Sequence, residues 1–129
     1  MKSTTARTAF VLSVTAFATV AQAAQIGGGP VFSENAASGY CFWINEGSTS
    51  IKPTSQKIFT SSGSVAVNTG CPNGSPVNPG TVCEVSPSVF ATGQPYSCQL
   101  NFSTATTYVR GTMTLLDSSL NAAATAELR

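Results

Sequence analysis

The feature that most limits how this chain folds is an even set of cysteines in a sequence without histidine. The set consists of Cys41, Cys71, Cys83 and Cys98. Structural zinc sites need closely spaced cysteine pairs or histidine ligands, and the sequence offers neither. An even set in an exported chain instead predicts two structural disulfides.

Four cysteines permit three pairings, and the sequence alone does not choose among them. We favour Cys71–Cys83 together with Cys41–Cys98. The residues between Cys71 and Cys83 are rich in turn formers, including Asn-Gly and Pro-Gly pairs, so the ends of this segment meet easily. Cys98 lies on the apolar side of a predicted strand, where a distant cysteine would be buried with it.

The first 23 residues have the three parts of a secretory signal peptide. Lys2 and Arg7 supply positive charge, residues 9–20 form an uncharged apolar stretch, and Ala21-Gln22-Ala23 offers small residues for cleavage after Ala23. The alternative, a membrane anchor, needs about 20 apolar residues, and this run is shorter. We therefore expect a secreted, periplasmic or cell-surface protein without a transmembrane segment.

Composition excludes several classes of partner. Removal of the leader takes away two basic residues, so 6 becomes 4 against 5 acidic residues, a formal charge of −1. Such a chain lacks the clustered positive charge that nucleic acids and anionic lipids require. Charged residues make up 9% of the chain and hydrophobic residues 42%, a balance that favours a folded domain over disorder.

Alternating side chains predict β-strands. Residues 96–103 alternate strictly between apolar and polar, and residues 107–116 continue the pattern. The continuous apolar run 40–44 predicts a central strand buried on both faces. Shorter β-prone runs occur at residues 57–60, 64–68 and 81–85. Residues 124–129 alternate as well and favour a returning hairpin, although an Ala-rich helix from Leu120 is the competing interpretation.

The fold class predicted is therefore all-β: a small antiparallel β-sandwich or barrel with two disulfides that follows an N-terminal signal peptide. Three segments are expected. Residues 1–23 are the signal peptide, residues 24–30 are a flexible lead-in because of their glycine run, and residues 31–129 form a single β domain.

The residue types exclude most catalytic mechanisms. Triads that use an imidazole base need histidine, and neither lysine of the β domain, Lys52 or Lys57, follows a serine at the spacing of a Ser-Lys pair. Calcium-loop and zinc patterns are also missing, so we expect neither a metal nor a cofactor. Paired carboxylates remain the one formal possibility, and we expect a protein without enzymatic activity.

Candidate binding residues lie at two places. Asn73, Ser75 and Asn78 belong to the Cys71–Cys83 loop, and Tyr108 is expected to be exposed on its strand. The aromatic cluster Tyr40, Phe42 and Trp43 is an alternative sugar-binding platform, but its apolar run favours a core position.

Two functions of different class follow from these observations. The first is an extracellular or cell-surface structural or adhesive subunit, which self-associates if a sheet edge is exposed. The alternative is a monomeric secreted recognition module that binds a glycan or a protein, as an inhibitor does, through the Cys71–Cys83 loop.

Overall fold

The computed structural model describes residues 24–104 and 107–129, which form nine β-strands and no helix. The predicted signal peptide, residues 1–23, lies outside the described residues. The strands are β1 Ala24–Val31, β2 Ser38–Asn45, β3 Pro53–Thr60, β4 Gly63–Val65, β5 Val67–Thr69, β6 Val82–Pro87, β7 Tyr96–Phe102, β8 Val109–Leu116 and β9 Ala122–Leu128. In this part of the chain, no helix is long and apolar enough to cross a membrane.

The strands form two antiparallel sheets, which confirms the all-β prediction. One sheet has four strands in the order β1-β7-β3-β4, and the other has five in the order β5-β6-β2-β8-β9. Strands β2 and β7 occupy interior positions of different sheets, and each alternates between buried and less buried side chains. The buried side chains of the two sheets form the hydrophobic core between them.

The two sheets are joined at both lateral sides, so the fold lies between a sandwich and a closed barrel. On one side, the main chains of Gly27 and Arg129 exchange two hydrogen bonds of 2.9 and 3.0 Å and link β1 to the end of β9. On the other side, Ala66 connects β4 directly to β5, so the chain passes from one sheet to the other within a single residue.

Both favoured disulfides are present. Cys41–Cys98 joins β2 to β7 across the core with a Cα–Cα distance of 6.2 Å, and Cys71–Cys83 closes the loop before β6 with a distance of 5.6 Å. Trp43 lies on the same buried face of β2 as Cys41 and makes a T-shaped contact with Phe102 at a ring-centroid distance of 5.0 Å. A covalent contact and an aromatic contact therefore both join β2 to β7 across the core.

The prediction of a flexible lead-in over residues 24–30 is wrong. These residues form most of β1, which pairs with β7 from Ala24 opposite Phe102 to Gly28 opposite Cys98. The glycines permit a close approach rather than flexibility, because a Cβ atom at Gly28 would overlap the carbonyl oxygen of Glu127. Glycine in this strand is thus a packing requirement of the junction between the sheets.

The prediction for the C-terminal segment is confirmed in its hairpin form, since β9 pairs antiparallel with β8 and the helical alternative is wrong.

The prediction that residues 40–44 are buried on both faces is wrong. In β2, Cys41 and Trp43 are buried, whereas Tyr40, Phe42 and Ile44 are half-exposed. One face of β2 is covered by the four-stranded sheet, and the other is the outer surface of the five-stranded sheet.

Each of the four sheet edges carries a feature that opposes pairing with another chain. Strands β4 and β5 have three residues each. Strand β1 contains Pro30, which has no N–H, beside a register irregularity. In β9 the pairing passes from Ala122 to Ala124 and leaves Ala123 as a bulge, while Arg129 at the other end is already bonded to β1.

Candidate functional site

The most distinctive surface is the outer side of the five-stranded sheet around β2. We use the name β2 face for the outward side chains of Tyr40, Phe42 and Ile44 together with Val82 of β6. Val82 lies directly opposite Ile44 in the ladder and is 61% exposed. Contiguous exposed apolar patches are a typical feature of binding surfaces, so the β2 face is the candidate site.

Two aromatic rings are stacked on this face. Tyr40 and Phe42 are two residues apart on one strand, so both point outward. Their ring centroids are 5.7 Å apart and their planes differ by 21°. The rings therefore hold each other in place and present a preformed apolar strip along the middle of the sheet.

Polar side chains border the strip in a row that runs across four strands. Glu84 of β6 lies opposite Phe42 on one side, and Thr112 of β8 lies opposite it on the other. Thr112 in turn lies opposite Glu127 of β9. From β6 to β9 the row therefore consists of a carboxylate, an aromatic ring, a hydroxyl and a second carboxylate. The main chains at its two ends are three strand spacings, or about 14 Å, apart.

Three members of this row, Phe42, Thr112 and Glu127, line an open groove of about 480 Å³. The groove is lined by Phe42, Trp43, Ile44, Val82, Arg110, Gly111, Thr112, Glu127 and Leu128. Arg110 is the cationic side chain among these residues, and its Nε lies 3.9 Å from the carboxylate of Glu46. Both partners are exposed, so this ion pair contributes little to stability but places an opposite charge beside the arginine.

The Cys71–Cys83 loop, which supplies three predicted binding residues, lies against the body of the domain. Val77 and Ile51 exchange two main-chain hydrogen bonds of 2.7 and 3.1 Å, and the amide of buried Asn45 donates to the carbonyl oxygen of Val77 at 3.0 Å. Gly74 donates to the carbonyl oxygen of Pro53 at 2.7 Å. The loop is thus a well-anchored surface segment rather than a protruding tip.

Two predicted binding residues of the loop already have partners. The side-chain oxygen of Asn73 accepts a hydrogen bond of 3.1 Å from Gln56, and that of Asn78 accepts one of 2.8 Å from the hydroxyl of Ser50. Ser75 is half-buried. Asn73 is thus bonded to β3, and Asn78 is bonded to the loop between β2 and β3.

Tyr108, the fourth predicted binding residue, is 64% exposed, as the sequence suggested. It borders a smaller cavity of about 270 Å³ that also includes Ser50 of the β2–β3 loop. The ring lies beside Gly47, where a Cβ atom would be 3.4 Å from the Cβ of Tyr108. Because Ser50 lines this cavity and is also the hydrogen-bond partner of Asn78, the cavity lies near Asn78. It is separate from the β2 face.

The acidic side chains of the described residues do not assemble into a metal cluster. Hydrogen bonds from the main chain of Asn121, and secondarily from that of Ser119, lower the pKa of Asp117, which closes the β8–β9 turn. Glu127 forms an ion pair of 3.2 Å with Arg129. Glu84 and Glu127 lie on the same face of the sheet, with their main chains three strand spacings apart.

Sequence reasoning missed the outward position of Tyr40 and Phe42. The parity of the strand contained the information, because a core disulfide at Cys41 requires Cys41 and Trp43 to point inward and their neighbours to point outward. No protein-family model, curated protein or solved structure matches the chain.

Proposed function

We propose that this chain is an exported, non-catalytic adhesive subunit that binds its partner through the β2 face. The observation that carries the proposal is the stacked Tyr40–Phe42 pair, which lies beside Ile44 and Val82 on the outer surface of the five-stranded sheet. Half-exposed rings that are fixed by their neighbours lose little conformational entropy when a partner covers them.

Export is supported by the leader-like first 23 residues and by two disulfides, which persist in oxidising compartments. The absence of catalysis is supported by the sequence, which has no histidine to serve as an imidazole base. These features suit a domain that holds a partner without transforming it.

The sheet edges distinguish adhesion through a face from assembly through strands. A fibre built by strand addition needs an edge with free main-chain groups over several residues. The edges of the described sheets are very short, bulged or interrupted by proline. We therefore favour an adhesive role over a fibre that forms by pairing of sheet edges.

A second candidate function is a recognition module that acts through the Cys71–Cys83 loop. The observation in its favour is the anchoring of this loop by Pro53, Ile51 and Asn45, which gives it a fixed shape. A rigid loop binds with a small entropic cost. In this case Asn73 and Asn78, rather than the aromatic pair, would contact the partner.

The two candidates are separated by binding of the oxidised mature chain, residues 24–129, to extracellular matrix from the source organism. We expect the double variant Tyr40→Thr/Phe42→Thr to lose binding, because threonine preserves the strand but removes both rings. Phe32→Thr is the matched control, since Phe32 is 51% exposed and lies in the β1–β2 loop. Thermal melts verify that each variant is folded.

If the aromatic double variant binds normally, loss of binding in Asn73→Ala/Asn78→Ala would assign the binding site to the Cys71–Cys83 loop. Loss of binding in Tyr108→Thr would instead assign it to the smaller cavity. Equal binding by all folded variants, or no binding by the wild type, would overturn the proposal.

A further inference from the structure

We propose that the ligand of the β2 face is a neutral polysaccharide, an inference that rests on the proposed function and names its substrate class. A pyranose ring has an apolar side, formed by its C–H groups, and a rim of hydroxyl groups. The row across the sheet has the complementary order, with the ring of Phe42 in the middle and hydrogen-bonding groups on both sides.

The central contact is apolar. Phe42 and Tyr40 are stacked and nearly parallel, and Ile44 and Val82 continue the strip along the groove. A sugar ring that packs against Phe42 removes apolar surface of both molecules from water. The strip is long enough to contact successive units of a chain, because alternate residues of a strand are about 6.8 Å apart.

The polar contacts come from the two ends of the row. Glu84 and Glu127 are exposed carboxylates, which accept hydrogen bonds from hydroxyl groups and donate none. Thr112, between the ring and Glu127, adds a hydroxyl that both donates and accepts. A hydroxyl-rich ligand satisfies all three groups at once, since each sugar hydroxyl donates one hydrogen bond and accepts others.

Charge selects against anionic ligands. The surface around the row carries three carboxylates, Glu46, Glu84 and Glu127, and both nearby cations already lie beside one of them, Arg110 at 3.9 Å from Glu46 and Arg129 at 3.2 Å from Glu127. Sulfated or uronic-acid chains would meet net negative charge without a free cation to balance it. A protein partner, or a second copy of this chain, would have to bury Glu84 and Glu127, which interface cores disfavour.

The test is native gel electrophoresis of the oxidised mature chain through gels that contain one soluble polysaccharide. The neutral probes are hydroxyethylcellulose, glucomannan and amylopectin, and the anionic probes are alginate and polygalacturonate. We expect retardation by at least one neutral probe and by neither anionic probe. Retardation should persist from about 50 to about 500 mM sodium chloride, because neutral contacts are not screened.

Three variants assign the contacts. Phe42→Thr should weaken binding about tenfold or more, since it removes the stacking surface. Glu84→Gln and Glu127→Gln, which keep the side-chain shape, should each weaken it about fivefold through loss of a charged acceptor. Glu34→Gln, at an exposed position of the β1–β2 loop, is the matched control and should bind as the wild type does.

The inference is overturned if none of the neutral probes retards the chain, if the anionic probes retard it more strongly, or if Glu34→Gln weakens binding as much as Glu84→Gln. Its failure is distinguishable from failure of the proposed function by treatment of the matrix. Binding to matrix that requires Phe42, resists periodate and is lost after proteolysis would retain the adhesive role and assign a protein partner instead.

Discussion

Strand β2 carries large side chains on both of its faces, and the surroundings of the two faces differ. Cys41 and Trp43 are 0% and 1% exposed, whereas their neighbours Tyr40 and Phe42 are half-exposed. Large aromatic side chains thus lie on both faces, with Trp43 on the inner face and Tyr40 and Phe42 on the outer one. The four-stranded sheet covers the inner face, and within the described parts of the chain no element covers the outer one.

This contrast separates stability from binding along a single strand. The inner face is fixed by the disulfide to Cys98, by the edge-on contact with Phe102 and by a hydrogen bond of 3.1 Å from the indole N–H of Trp43 to Gln56. On the outer face, Tyr40 and Phe42 are stacked against each other with a centroid distance of 5.7 Å. Changes on the inner face should therefore act on folding, and changes on the outer face should act on the partner.

The largest expected effect is that of Trp43→Ala. It should lower the free energy of unfolding by about 5 kcal/mol, because it leaves a large cavity and removes a hydrogen-bond donor from buried Gln56. Phe42→Ala should cost about 1 kcal/mol, mainly through its stacking with Tyr40. Urea unfolding followed by circular dichroism measures both. Equal costs would show that the outer face is structural and would break the comparison.

The two disulfides should differ in the same direction. They join residues 57 and 12 positions apart, so loop-closure entropy gives about 4 kcal/mol for Cys41–Cys98 and about 3 kcal/mol for Cys71–Cys83. Double alanine variants of each pair, compared by thermal melts, test this order. The core pair should cost more still, because its sulfur atoms are fully buried. A loop pair that costs more would mean that the loop organises the domain.

Much of the fold follows from local alternation and from the cysteines. The pattern over residues 96–103 corresponds to β7 in nearly the same bounds, and the turn residues between Cys71 and Cys83 indicated the local disulfide. Both predictions depend on neighbours in sequence, where periodicity and turn chemistry act directly. The central position of β2 was also evident from its apolar run.

What the sequence did not reveal depends on contacts between distant residues. Tyr40 and Phe42 have the composition of core residues, and their exposure follows from the number of layers in the fold rather than from the strand itself. The glycine run of β1 has the composition of a linker. Its role is visible only when β9 lies beside it, since Gly28 faces the main chain of Glu127 and the side chain of Leu128.

An effect smaller than that of Trp43→Ala or of losing the core disulfide is expected at Gly28, where the contrast between inner and outer faces recurs in β9. Leu128 is buried and Glu127 is exposed, and the glycine leaves room for the leucine at the junction of the sheets. Gly28→Ala should force β1 away from β9 and lower the free energy of unfolding by about 2–3 kcal/mol.

Gly70→Ala is the matched control for this substitution. Gly70 has open space around its Cβ position and is not among the glycines with positive φ, so its replacement should change stability by less than about 0.5 kcal/mol. Hydrogen exchange should also locate the damage, with faster exchange at the amides of Gly27 and Arg129, each of which donates to the carbonyl oxygen of the other residue. If Gly28→Ala were as stable as the control, β1 would not close the two sheets, and the inner face of β9 would be open to solvent at Leu128.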